Sequence, residues 1–492
     1  MKKELYVICA MLLSGVSAFQ FTSCTNSEDE NIPPRITELR FNINVNNAST
    51  HDTKVVKTSW EDGDKIYVFF KAGDTYLDAI KYVTLTYNGT TEEWDGALSG
   101  SLTDASELGS AGTMYGVFFP FGGVNITAGE DNSIAFLSSG NTNSVLNDLP
   151  IFTYYLTGDA DYTIETAGDE STLNGTLNME MPDDYVYFFI DKQGDDFYTD
   201  EKYRLSGEGI VPVACAGYKN GSFTELELLA DQPLWGYKYG DGVNSGMAFS
   251  GKIDESWSSS ANHRFILFSD GDPALSKTMT GVTLESHNSV KFSNPLDDSN
   301  EWSRAFAEPG TVDLGTSTCL WADRNLGASD MTDIGWRFGW GQIVTPNYFY
   351  YEDWYPEAMI NSDLTGDYAI YDVARAYLGE GWRMPTVYEF ERLYHAIDEN
   401  SVVPTYDMDL DYVTLVYNEN TLYLPITSYY KRDKEAGDED TGYFWLSSYY
   451  TYEESSACYF YVDRYYGDTD YYYLSWFLGA TVRPVKDIPV IP

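Results

Sequence analysis

The sequence is poor in several residue types, and each shortage removes a class of function. Only 4 histidines occur in 492 residues. His51, His263, His287 and His395 are scattered, with none of the spacing of a metal-ligand set. The 5 cysteines are too few and too dispersed for a disulfide framework. Setting aside Cys9 and Cys24 in the N-terminal segment leaves Cys215, Cys319 and Cys458, for which a Cys319–Cys458 bridge and buried free thiols are both open. Basic residues are scarce as well: 30 Lys and Arg against 76 Asp and Glu give a formal net charge of −46. Phosphate would be repelled along such a surface, which excludes nucleic acid as a partner. Among 76 carboxylates adjacent pairs arise by chance, so no glycosidase pair stands out. The run Asp438-Glu439-Asp440 lacks the spaced oxygens of a calcium loop and reads as a solvated turn. No catalytic residue, cofactor or metal is expected. After the first residues no apolar run approaches membrane-spanning length.

What the chain has is aromatic surface: 42 tyrosines, with aromatics at 16% of all residues. Short alternating stretches broken by Gly, Asn and Asp predict β-rich domains. The length fits two to four of them.

The N-terminus carries Lys2 and Lys3, an apolar core from Leu5 to Leu13, and small residues ending in Phe21-Thr22-Ser23-Cys24. The core is too short to span a bilayer and reads as a cleavable signal. Its ending resembles a lipobox, which implies lipid on Cys24. The polar, acidic stretch Thr25 to Asn31 has nothing to bury and reads as an extended tether. A short acidic run after a lipidated cysteine resembles the surface-export signal of lipoproteins from anaerobic gut and oral bacteria. The implied location is the outer membrane, lipid-anchored and facing the cell exterior.

Beyond the tether, Ile36 to Val45 alternates like a half-buried strand. In Thr58-Ser59-Trp60-Glu61-Asp62-Gly63-Asp64-Lys65-Ile66-Tyr67-Val68-Phe69-Phe70, Trp60 can anchor a core, Asp62-Gly63-Asp64 gives a turn, and a strand follows. Further strands are predicted at Tyr82–Tyr87, closed by Asn88-Gly89, and at Met114–Phe119. Residues 58–70 resemble the W-x-x-G-D-x-I-x-V-F pattern of the fimbrillin-like family, the pilins, anchors and tip proteins of anaerobic Gram-negative bacteria. Asp148-Leu149-Pro150-Ile151-Phe152 and the strands near Leu177–Met181 and Tyr185–Ile190 are similar to the opening of its second β-sandwich. The resemblance spans roughly residues 34–302. It implies other pilin subunits as partners and proteolysis at an early arginine, for which Arg35 and Arg40 are the candidates.

From Gly310 the texture changes. One helix is predicted over about Tyr368–Leu378, stopping at Gly379. Another follows Met384-Pro385, opened by the capping box Thr386-Val387-Tyr388-Glu389, with Phe390, Leu393, Tyr394 and Ile397 as its apolar stripe. Val312-Asp313-Leu314-Gly315, Trp321-Ala322, Asn325-Leu326-Gly327-Ala328, Gly381-Trp382-Arg383-Met384-Pro385-Thr386, Trp445-Leu446-Ser447-Ser448 and Val482-Arg483-Pro484-Val485 resemble, in order, the Fibrobacter succinogenes major paralogous domain. That resemblance implies a C-type-lectin-like fold. Trp382 and Trp445 would fill its core, Arg383 and Arg483 would make buried hydrogen bonds, and the extra residue Leu446 would form a bulge. Formylglycine-generating enzymes share the fold but need paired redox cysteines, which are absent here, and the sugar-binding tripeptides of calcium lectins are absent too.

Eleven tyrosines fall between Tyr443 and Tyr473. An alternating strand needs every second residue for the core, so Tyr471-Tyr472-Tyr473 must turn at least one ring outward. Exposed tyrosines among Ser, Asp and Gly have the composition of an antibody paratope, and such rings stack well on sugar faces. The candidate ligand-binding residues are Tyr449, Tyr450, Tyr452, Tyr465, Tyr466, Asp468, Asp470, Tyr471, Tyr472 and Tyr473. The lectin-like resemblance implies that this segment faces the ligand. It also resembles the variable region written by diversity-generating retroelements, ahead of a fixed Gly479-Ala480-Thr481-Val482-Arg483-Pro484.

The expected fold is mainly β: signal peptide 1–23, tether 24–33, two fimbrillin-like β-sandwiches at 34–150 and 151–302, and an α+β C-type-lectin-like domain at 303–492. The expected function is that of an adhesin or pilus-tip protein binding a glycan or protein on a host or neighbouring cell. The alternative is a structural pilus subunit or anchor.

Overall fold

The computed structural model describes residues 38–47, 60–98, most of 102–292, 302–344, 362–431, 434–452 and 456–488. Cys24, the acidic tether and Arg35 lie outside the described residues. The chain is mainly β, with the two helices Val373–Leu378 and Val387–Asp398 among the described residues.

The first core is built around Lys65–Ala72. Gly63 takes φ +90°, a left-handed turn position that glycine alone adopts without a Cβ penalty. Trp60 packs edge-on against Trp94 and Phe118, at 4.9 and 5.1 Å. Ile66 to Phe70 are all buried, so this strand is covered on both faces. It sits inside an eight-stranded sheet ordered Glu38–Asn47, Glu170–Met179, Leu156–Ala167, Ala111–Phe118, Lys65–Ala72, Val83–Asn88 and Glu93–Leu98, with Thr75–Tyr76 at its side. A second sheet, Ser222–Glu227, Val213–Lys219, Ser133–Ser138 and Val124–Ala128, closes the core. Phe69 and Tyr218 stack at 4.2 Å within that core. Both sheets draw strands from either side of the expected division at 150 and 151.

Strand Tyr185–Asp191 shows period two with an unusual result. Tyr185, Tyr187 and Phe189 enter the first core, while Val186, Phe188 and Ile190 enter the next one with Phe265, Phe292 and Trp302. One strand therefore serves as a wall between two cores, which is why it reads as a continuous apolar run rather than an alternating one.

The C-terminal third contains both helices. Thr386 Oγ1 accepts from Glu389 N–H, and the Glu389 carboxylate accepts from Thr386 N–H, so the predicted capping box is formed. Glu389 also accepts two bonds from Arg383, at 2.5 and 2.7 Å, and Arg383 Nε donates to Asp487. Trp382 and Trp445 are buried, and the ladder from Thr441–Tyr449 to its neighbour shifts register after Trp445, where Leu446 predicts a bulge. Cys215, Cys319 and Cys458 are all free and buried.

The predicted helix over 368–378 divides. A 3₁₀ turn runs over Gly366–Tyr371, and Asp372 then caps Val373–Leu378 by accepting from Ala374, Arg375 and Met384 N–H. Burial pushes the Asp372 carboxyl up to about 6. A raised folded-state value means the fold binds this proton more tightly than the unfolded chain does. Stability should therefore fall as pH rises from about 4 to about 6, by roughly 3 kcal/mol at about 1.4 kcal/mol per unit. The check is the slope of unfolding free energy against pH in wild type and Asp372→Asn. Equal slopes would remove Asp372 from the account.

Residues beyond 302 do not close their core alone. Ile266, Phe268 and Ala274 share one cluster with Phe306, Phe338, Trp340, Tyr377 and Trp382. Arg204 Nη1 donates to Ile370 O at 2.7 Å, Arg264 Nη2 donates to Ala305 O at 2.8 Å, and the Arg264 guanidinium lies 5.2 Å from the Trp336 ring. The expected division at 302 and 303 is thus spanned by a continuous apolar core.

Candidate ligand-binding face

The tyrosine-rich segment lies on three strands of a five-stranded sheet ordered Arg337–Phe338, Ala480–Thr481, Thr441–Tyr449, Ser456–Asp463 and Asp468–Ser475. The last strand is an edge. Side-chain alternation sends Phe444, Phe460 and Val462 to one core, where Phe390 of helix Val387–Asp398 stacks on Phe460 at 4.9 Å. Tyr443, Trp445 and Tyr459 go to the opposite face, where Trp445 Nε1 donates to Phe338 O.

The ten candidate residues divide by position. Tyr450 and Tyr473 stack at 4.3 Å with planes 13° apart, Tyr473 and Tyr472 stack at 4.4 Å, and Tyr452 meets Tyr450 edge-on at 5.8 Å. These four rings form one array that ends in Tyr452, 90% exposed. Tyr472, opposite Tyr459 in the ladder, and Tyr473, opposite Cys458, start on different faces of the sheet. Their rings meet around its free edge. Tyr465 and Tyr466 lie elsewhere, at the hairpin tip, as an exposed edge-to-face pair at 4.9 Å. Five strand residues separate the tip from Tyr473, about 17 Å. Tyr449 packs between Trp340 and Trp476, and its N–H donates to Asp363. Tyr471 is tied inward: its hydroxyl donates to Glu391 and its ring meets Phe390. The Glu391 carboxylate, with some burial, holds that phenol above its usual range.

Two residues outside the candidate set hold the tip in place. Asp463 Oδ1 accepts from the N–H groups of Tyr465 and Tyr466, and Oδ2 accepts from Thr441. Arg464 donates to Asp440, Asp411 and Leu410 O. The sequence signal for both is the Asp-Arg pair ahead of a glycine turn, which is weak among so many carboxylates.

Asp468 and Asp470 have a local task. Asp468 Oδ1 accepts from Thr469 N–H at 2.9 Å, and Asp470 Oδ1 accepts from Tyr471 N–H at 2.8 Å. These amides alternate along a strand with no second neighbour among the described residues, so the carboxylates occupy donors that another strand would seek. Replacing both by alanine should raise the apparent mass in light scattering, whereas Asp→Asn keeps an acceptor and should behave as wild type. A double alanine variant as monodisperse as the parent would show that the edge is blunted by something else.

No family model matches the chain, and no curated protein matches it. Solved structures overlap it in part. A putative cell adhesion protein from Bacteroides ovatus is 16% identical over 52% of this chain and 93% of its own, with a TM-score of 0.27. One from Bacteroides fragilis is 14% identical over 55% and 99%, with a TM-score of 0.26. A fimbrial anchor protein from Porphyromonas gingivalis is 12% identical over 46% and 77%, with a TM-score of 0.20. Scores this low describe local overlap, so neither fold nor function is transferred on them.

Proposed function

We propose that the chain is a cell-surface binding protein, exported and lipid-anchored at Cys24. On this reading two fimbrillin-like bodies carry a lectin-like head that holds a glycan or protein ligand against its tyrosine array. The observation that supports it most is the stack Tyr452–Tyr450–Tyr473–Tyr472, built at a sheet edge with its outer rings in solvent. Large rings with two side-chain torsions give contact area at small entropy cost, and stacking fixes them before a ligand arrives. The acidic surface selects neutral or cationic partners. A diversified segment would be accompanied in the neighbouring DNA by a reverse transcriptase and a near-repeat of the 3′ end.

The test uses the full chain, because the head shares its core with residues 266–274. Labelled protein is offered to panels of host cells, bacterial cells and glycans. Tyr452→Ala and Tyr450→Ala are each expected to weaken retention tenfold or more with melting behaviour unchanged. Retention equal to wild type for both variants would defeat the reading.

A second reading, a fibre subunit, has one observation in its favour. Strand Glu38–Asn47 lies parallel to Glu170–Met179 at the end of its sheet, in register from Glu38 and Glu170 to Asn47 and Met179. Arg40, opposite Thr172, sits within that strand. Cleavage at Arg40 would require lifting the strand, and a neighbour's strand could then take its place. Treatment with an arginine-specific protease followed by sizing tests this: growth into polymers supports it, and an intact monomer removes it.

A further inference from the structure

Besides the stacked array, the sheet carries a second row of phenols on the face opposite helix Val387–Asp398. Tyr429 meets Tyr443 at 5.0 Å, Tyr443 lies 5.5 Å from Tyr459, and Tyr459 lies 6.3 Å from Tyr461. The ladder places Tyr443 opposite Tyr461 and Tyr459 opposite Tyr472, so all five share this face. The close approach at one end depends on Gly437, where φ is +92° and a Cβ would lie 2.7 Å from the Tyr429 ring.

The hydroxyls are the unusual part. Tyr459 is 9% exposed, yet among the described residues its hydroxyl makes no hydrogen bond. The hydroxyls of Tyr429 and Tyr472 likewise make no hydrogen bond among the described residues. Tyr461 donates to Asp468 Oδ2 at 3.2 Å, and Tyr443 accepts from Asp438 N–H. Burial first, and then the phenols of Tyr443, Tyr461, Tyr429 and Tyr472, push the Tyr459 phenol far above its usual range, so it stays a neutral donor. A core tyrosine normally turns its hydroxyl to a partner; along this row three hydroxyls, those of Tyr429, Tyr459 and Tyr472, have none among the described residues.

We infer that this row is a binding track for a neutral oligosaccharide, with Tyr472 as the stacking platform and Tyr429, Tyr459, Tyr461 and Asp468 as its hydrogen-bonding groups. A sugar chain offers what the row lacks: many hydroxyls that both donate and accept, and flat apolar ring faces. Across three strands plus Tyr429 the row runs on the order of 15 Å, room for a short linear saccharide. The carboxylates of Asp468 and Asp470 disfavour sulfated or sialylated chains. The inference rests on the binding role proposed for the head and assigns it a ligand class and a second contact surface.

The test is titration calorimetry of the full chain against neutral linear hexasaccharides (glucose, mannose, galactose and N-acetylglucosamine series), with a sulfated hexasaccharide as counter-probe. At least one neutral series is expected to bind and the sulfated one not. Tyr459→Phe and Tyr461→Phe, which keep the rings, should each weaken binding tenfold or more with circular dichroism and melting unchanged. Absence of any neutral ligand, or Phe variants that bind like wild type, would overturn the track. Loss of cell retention in Tyr450→Ala and Tyr452→Ala alone would leave the array reading standing while the track falls.

Discussion

Replacing Arg483 with methionine should cost the fold on the order of 3–5 kcal/mol, because three buried acceptors would lose their donor at about 1–3 kcal/mol each. Arg483 is fully buried. Its Nε donates to Asn325 Oδ1 at 2.8 Å, Nη1 to Ala322 O at 3.1 Å and Nη2 to Tyr423 O at 2.6 Å. Burial draws its pKa down to about 9, against the pull of nearby Asp323. Two segments distant in sequence, 322–325 and the one holding Tyr423, present three acceptors to one planar fork, and methionine would leave them dry and unpaired. Lysine keeps the charge but cannot reach three diverging acceptors, so it should recover only part of the loss. Urea unfolding measures both variants. A methionine variant within about 1 kcal/mol of wild type would show that the network can relax.

Tyr377→Ala should cost a similar amount, about 3–5 kcal/mol, and Tyr377→Phe should cost nothing or stabilise slightly. The Tyr377 ring stacks on Phe306 at 4.4 Å and meets Phe268 edge-on at 5.2 Å. Phe268 ends the strand Asn262–Phe268, so this ring joins the C-terminal core to the body before it. Among the described residues the hydroxyl is buried without a hydrogen bond, a desolvation cost that Phe avoids. Thermal unfolding of both variants decides the point. The alanine variant should lower the melting of the whole chain, and a fragment covering 303–492 should melt below the intact protein because Phe268 and Ile266 are missing from its core. A fragment as stable as the full chain would contradict a shared core.

How much of this was legible depends on range. The capping box at Thr386, the stop at Gly379, the turn at Gly63 and the bulge after Trp445 are short-range devices, and each appears where the local residues place it. Long-range pairing leaves no such trace. Nothing near residue 150 announces that Leu156–Met179 returns to the first sheet, or that Ser133–Ser138 pairs with Val213–Lys219. The tyrosine segment shows both limits. Alternation requires some of Tyr471-Tyr472-Tyr473 to face outward, but only the fold shows Tyr471 turned to Glu391 and the other two meeting around the edge. Tyr429 joins the row from a separate hairpin, and clustering in sequence cannot reveal that.

The central claim is that a ligand sits on the tyrosines of the C-terminal sheet, and tyrosine nitration read by mass spectrometry, with and without the bound cell or glycan ligand, tests it most directly. Ligand should protect Tyr452 and Tyr472 from modification. Tyr388 and Tyr394, exposed on helix Val387–Asp398, should be nitrated equally in both states. Protection at Tyr388 or Tyr394 with Tyr452 and Tyr472 unchanged would place the ligand elsewhere and contradict the account.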